Sequence, residues 1–132
     1  MSAHNELHEL LMAFMPGGPG RVPLVASAAG TKMSDEAFIQ MVIPTWGNTN
    51  NILILPAPVP GRIVMVAGAA TGGELRTTDP VNVKINGVGG SNFESLLPAN
   101  AMAILICESP TNWKGFTVAD NGTPGQLAVP DA

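Results

Sequence analysis

The chain has 132 residues, 6 basic and 10 acidic, giving a formal net charge of −4. Only 12% of its residues are charged, about half the roughly 25% of an ordinary soluble domain. That length suits one domain of about 100–150 residues, the few scattered basic side chains exclude a cationic footprint for nucleic acid, and a single cysteine excludes an internal disulfide or a thiolate zinc cage.

Residues 1–15 predict the one convincing helix. Leu7, Leu10, Leu11 and Phe14 follow at spacings that gather on one face, and Ser2 or Asn5 is placed to cap its start. Pro16-Gly17-Gly18-Pro19-Gly20 ends it, because proline disfavours helix in the residue before it and glycine adopts almost any backbone angle. Residues 1–20 therefore read as an N-terminal helical arm and hinge, and 21–132 as a separate body. A helix of about 15 residues is marginal alone, so the arm must fold back on the body or find an apolar surface elsewhere, and the flexible joint behind it favours the second. No stretch reaches the roughly 18 apolar residues of a spanning helix, and the start lacks the positive region of a secretory signal. The expectation is no membrane partner and a product that remains in the cytoplasm where it is made.

After the hinge, short apolar runs recur: Val22–Val25, Phe38–Ile43, Ile52–Leu55, Ile63–Val66, Val81–Ile85, Met102–Ile106, Phe116–Val118 and Leu127–Val129. Each is rich in β-branched residues and bounded by Gly, Pro, Asn or Asp, so each reads as a strand. The runs at Ile52 and Ile63 are apolar throughout and should be covered on both sides. Val81, Val83 and Ile85 alternate with Asn82 and Lys84, the period of a half-buried strand. Asn86-Gly87 and Asn121-Gly122 are tight-turn signals. Ser34-Asp35-Glu36-Ala37 offers an alternative local reading, a short helix through Met41. Leu55-Pro56-Ala57 before one apolar strand is echoed by Leu97-Pro98-Ala99 before another, a device for turning between sheets. The expected fold is all-β, a β-sandwich or jelly-roll-like domain of about eight short antiparallel strands behind the helical arm.

Little in the chain points to catalysis. His4 and His8 share a helical face, but no third ligand is fixed nearby, so no metal is assigned. No histidine lies beyond residue 8 and there is no tyrosine, which leaves the serines of the body without an activating base. The carboxylates read as solvated loop charge, Cys107 as a small buried hydrophobe, and the glycine-rich segments 68–73 and 87–90 as loops without the geometry of a phosphate cradle. The expectation is a non-enzymatic protein with no catalytic residues and no cofactor. Trp46 and Trp113 are the two residues large enough to anchor an interface; each fits equally a subunit contact, a ligand groove or the domain's own core.

From Asn50 to Val118 a longer pattern emerges. Leu55-Pro56, Gly61-Arg62-Ile63-Val64, Val83-Lys84-Ile85-Asn86-Gly87 and Thr111-Asn112-Trp113 occur in an order that resembles small β modules of tailed bacteriophage virions, the capsid decoration (cement) proteins and the head or tail fibre modules. The resemblance covers about half the chain and does not extend to the arm. It implies a structural virion protein on the capsid exterior, a homotrimer that stabilises the shell by bridging major capsid protein subunits. Leu7, Leu10, Leu11, Phe14, Trp46 and Trp113 would then be the capsid or subunit interface, with residues 1–20 reaching onto the capsid or a neighbouring decoration subunit. The alternative is a fibre module in which loops 68–78 and 87–92 meet a host glycan or protein.

Overall fold

A computed structural model describes residues 24–132; the expected arm and hinge at 1–20 lie outside the described residues. In chain order the strands are β1 (Thr31–Lys32), β2 (Ile39–Val42), β3 (Ile52–Ile54), β4 (Ile63–Ala67), β5 (Gly73–Arg76), β6 (Lys84–Ile85), β7 (Ser95–Leu97), β8 (Ala101–Ser109), β9 (Asn112–Ala119) and β10 (Pro124–Gln126). The described residues contain no helix, so the body is all-β. One sheet has four strands in the order β1-β3-β5-β7; the other has six, in the order β10-β9-β8-β4-β2 with β6 beside β9.

From β1 to β8 the chain changes sheet at every step. Consecutive strands therefore rarely pair, and several partners in one sheet are strands that run the same way after an excursion through the other. β1 with β3, β3 with β5, β2 with β4 and β6 with β9 are parallel. The expectation of antiparallel strands is corrected: both sheets are mixed, and the hairpin-like run is confined to β8-β9-β10. The two Leu-Pro-Ala segments are corners between sheets, as read. Leu55-Pro56-Ala57 carries the chain from β3 across to β4, and Leu97-Pro98-Ala99 from β7 across to β8. The strands they deliver then pair antiparallel, from Ile63↔Ile106 to Ala67↔Met102.

The inward side chains of both sheets form one core. Leu53, Leu75 and Leu97 meet Val64, Val66, Leu105 and Trp113, all fully buried. Both Asn-Gly turns are formed. Asn86 and Gly87 have φ of 51° and 79°, the left-handed pair that a two-residue hairpin turn requires, and Ile85 and Val88 exchange both backbone hydrogen bonds around them. Asn121-Gly122 links β9 to β10 with Gly122 at φ 82°.

Four local readings change. Ser34–Ala37 opens no helix: the next residues are β2, paired with β4 over four positions. The last strand is Pro124–Gln126 instead of Leu127–Val129, because the turn at 121–122 sets pairing immediately after itself and leaves Leu127 for the core. The Val81 run is strand only at Lys84–Ile85, since the amides of Asn82 and Val83 donate to the Asp79 carbonyl in a turn. Among the described residues β4 is covered on one side: Val64 and Val66 are buried while Ile63, Met65 and Ala67 are half-exposed.

Trp46 shows how tightly the layers fit. Its indole N–H donates to the Ala67 carbonyl at 2.8 Å, and its ring lies where a Cβ on Gly73 would stand. Adding that methyl in Gly73→Ala should cost about 3 kcal/mol, since a rigid ring in a packed core cannot move aside. Gly87→Ala, which meets nothing within 4 Å, should cost only the left-handed backbone penalty of about 1–2 kcal/mol. Denaturant midpoints of the two variants check the order; equal losses would contradict the packing described for Trp46.

A candidate interface on the outer face of the six-stranded sheet

Side chains alternate across a strand, so the register of the six-stranded sheet lays out its outer face row by row. Ile39, Ile63, Ile106 and Lys114 lie side by side on β2, β4, β8 and β9. The next row is Met41, Met65, Ile104, Phe116 and, on β10, Gln126; the third is Ala67, Met102, Val118 and Pro124. Ile39, Ile106 and Phe116 are 45%, 44% and 42% exposed, and Met65, Met102, Ile104 and Val118 are half-buried. At ordinary strand and residue spacings these rows span roughly 20 by 20 Å. The largest apolar patch on an ordinary monomer is about 300–600 Å² and often functional, so a face of this footprint is a candidate interaction surface. Ile43, also exposed and of the same parity as Ile39 and Met41, continues it past the end of β2. Three methionines give it a deformable texture.

Charge is confined to the margin. Lys114 reaches Glu108 at 3.1 Å, and the Asn112 side-chain amide donates to Glu108 at 2.7 Å. The Asn112 hydrogen bond and then the Lys114 ammonium hold the Glu108 carboxyl below its ordinary value. The rim is thus polar and neutralised while the centre is apolar, the arrangement of a protein-protein interface.

The β2 edge of this face is held by Arg62, which is buried at the base of β4. Its Nη1 donates to the Ala57 carbonyl at 2.9 Å and its Nη2 to the Asp35 carbonyl at 2.7 Å, tying the loop before β2 to the corner before β4. Asp35 accepts from Lys32 Nζ at 2.7 Å and from the Ala57 amide at 2.7 Å. Those bonds, the lysine's first, hold its carboxyl below the usual range. The other resemblance segments also meet: Lys84 and Ile85 pair with Asn112 and Trp113. The Asn86 side chain then accepts from the Gly115 amide at 2.9 Å and donates to its carbonyl at 3.0 Å, completing the β9 edge where backbone pairing stops.

The interface residues read from the sequence divide. Leu7, Leu10, Leu11 and Phe14 lie outside the described residues, as do His4 and His8. Trp113 and Trp46 are buried in the chain's own core, one of the readings open to them. Cys107 is buried, as read, and burial pushes its thiol up. The outer face went unrecognised in the sequence, although its signal is there: β4 and β8 are apolar at both parities.

Among the described residues no group of three or more His, Cys, Asp or Glu is placed to hold a metal ion, and no helix is long and apolar enough to cross a membrane. Glu94 and Glu74 stand near one another, but Arg76 Nη2 binds Glu94 at 2.6 Å, and burial, with Glu94 next in size, pushes the Glu74 carboxyl up. The open grooves are shallow. One of about 520 Å³ lies over Asn82, Lys84, Glu108 and Asn112. Comparison with family models, curated proteins and solved structures returns no match.

Arg62→Met removes two charge-assisted bonds from a buried guanidinium to backbone carbonyls and should cost about 2–4 kcal/mol. Asp35→Asn should cost much less, because this carboxylate is half-exposed. The sign of its pH dependence is fixed: a carboxyl lowered by folding contributes stability above its unfolded pKa and loses it as pH falls through the folded one. Asp35→Asn should therefore weaken the protein at neutral pH and shallow the loss below about pH 4. Denaturation series across pH check both variants, and an unchanged acid limb in Asp35→Asn would contradict the assigned bonds.

Proposed function

We propose that this chain is a non-enzymatic structural protein that assembles through the apolar outer face of its six-stranded sheet, and that its setting is the exterior of a tailed-bacteriophage capsid. In this reading the body is a sandwich-type decoration module. It forms a homotrimer and stabilises the shell by bridging major capsid protein subunits. The outer face is the observation that carries the assembly reading: apolar residues fill three adjacent rows with charge only at the rim, and water-exposed surface of that kind is costly unless a companion hides it. The low charge of the whole chain, 12%, supports the same reading. The virion setting rests on the sequence resemblance, whose segments Arg62, Lys84–Gly87 and Asn112–Trp113 have defined structural work in the body.

Contacts on a shell can be individually weak, because many copies act together on one lattice. A fibre or receptor-binding module is the second reading. The groove over Asn82, Lys84 and Asn112 favours it by offering amide and ammonium donors, but no aromatic ring lines that groove for a sugar to stack on.

Two measurements test the proposal. The molar mass in solution is expected at three times the 13.6 kDa of one chain, and purified protein is expected to bind undecorated shells and raise their melting temperature. Ile104→Glu places a charge at the centre of the outer face and should abolish both with the β body still folded. Failure to bind shells at any concentration would end the virion reading. Glycan-array binding by the full chain would put the fibre module in its place.

A further inference from the structure

Asparagine followed by glycine is the dipeptide in which a backbone nitrogen most readily attacks a side-chain amide, because glycine has no Cβ to obstruct the approach. The chain holds two such pairs, Asn86-Gly87 and Asn121-Gly122; each forms a turn, and all four residues are exposed. The two turns hold their reacting atoms very differently. Asn86 Nδ2 donates to the Gly115 carbonyl at 3.0 Å and its Oδ1 accepts from the Gly115 amide at 2.9 Å, so both ends of that side-chain amide are tied across to β9. The Gly87 N–H donates to Asn112 Oδ1 at 2.9 Å, and the Asn86 N–H to the Trp113 carbonyl at 2.7 Å. Carbon and nitrogen are thus each fixed to the same strand. At the second turn the bonds are made within the turn itself: Asn121 Oδ1 accepts from the Thr123 amide at 3.0 Å, and the Gly122 N–H donates to the Ala119 carbonyl at 2.8 Å. Asn121 Nδ2 meets no acceptor among the described residues. Residues 119–126 are all exposed, and a Cβ on Gly122 would meet nothing within 4 Å.

We propose that Asn121-Gly122 is a site of spontaneous covalent modification, and that the same reaction at Asn86-Gly87 is suppressed by the bonds to β9. Hydroxide takes the Gly122 N–H proton, and the nitrogen attacks Asn121 Cγ. The new C–N bond closes a cyclic imide while the Cγ–Nδ2 bond breaks, and Nδ2 leaves with a proton from water as ammonia. Water then opens the ring at either carbonyl. Opening at Cγ gives aspartate; opening at the main-chain carbonyl gives isoaspartate, whose backbone runs through the former side chain. The sum is amide and water giving acid and ammonia, with no oxidant or reductant. Either product adds a negative charge beside Asp120. Isoaspartate also lengthens the turn from which β10 takes its pairing with β9, and Pro124 and Gln126 of β10 end two rows of the outer face. The change therefore falls on the border of that face.

The test needs no substitution. Full-length protein is incubated at mildly alkaline pH, once folded and once in denaturant, and the peptides containing Asn86 and Asn121 are followed by mass spectrometry for conversion of amide to acid and for isoaspartate. Each folded rate is divided by the rate of the same peptide in the unfolded chain, which removes the influence of neighbouring residues. The quotient is expected to be close to one at Asn121 and at least about tenfold lower at Asn86, the factor set by breaking the additional hydrogen bonds to β9 before attack. A quotient at Asn121 as low as that at Asn86, or the reverse order, would overturn the assignment of the site. Quotients close to one at both would overturn the protection ascribed to the Gly115 and Asn112 bonds.

Discussion

A β-sheet whose two faces are both apolar must be covered twice, and that constraint governs this molecule. The four-stranded sheet covers the inner side of the six-stranded one, with Leu53, Leu75 and Leu97 meeting Val64, Val66, Leu105 and Trp113. Nothing among the described residues covers the outer side, where isoleucine, methionine, phenylalanine and valine occupy neighbouring strands in register. In most two-layer β proteins the outward positions of such strands are polar. Here polar residues are held back to the rim, and the sparse charge of the chain as a whole is the same fact seen in composition.

Rigidity is concentrated where the face needs it. β4 and β8, the two strands at its centre, are each delivered from the opposite sheet by a Leu-Pro-Ala corner and pair over five positions. Among the described residues β2, which forms one border, has one strand neighbour, β4. Arg62 compensates by clamping the preceding loop through the carbonyls of Asp35 and Ala57. On the far side, Asn86 completes the β9 edge between its two partial partners, β6 and β10. The face is thus held in one arrangement at both borders, which in the proposed assembly lowers the ordering cost of docking.

Much of this was legible in the sequence wherever a residue dictates its own backbone. Asn86-Gly87 and Asn121-Gly122 specified their turns because both dipeptides tolerate left-handed angles. The proline corners specified breaks between sheets because proline cannot donate to a ladder. Strand partners were not legible: alternation says which side chains share a face but not which strand lies beside them, so the parallel pairings and the sheet-switching path emerged only in three dimensions. The two tryptophans needed their surroundings as well. Gly73 makes room for the Trp46 ring from a distant part of the chain, and no local pattern around residue 46 announces it. The run at Ile63 is a strand, but the second cover expected for it does not lie among the described residues, and Ile63, Met65 and Ala67 are half-exposed.

Oxidation of the methionines tests the requirement for that second cover most directly. Met41, Met65 and Met102 lie on the outer face, whereas Met33 is buried in the core and serves as an internal standard. Brief exposure of the full-length protein to hydroxyl radicals, read by mass spectrometry at its working concentration and again with the capsid shells proposed as its partner, should leave all three nearly as protected as Met33. Rapid oxidation of Met65 and Met102 in both states, at the rate of the unfolded chain, would show a face that stays open to water and would contradict the account.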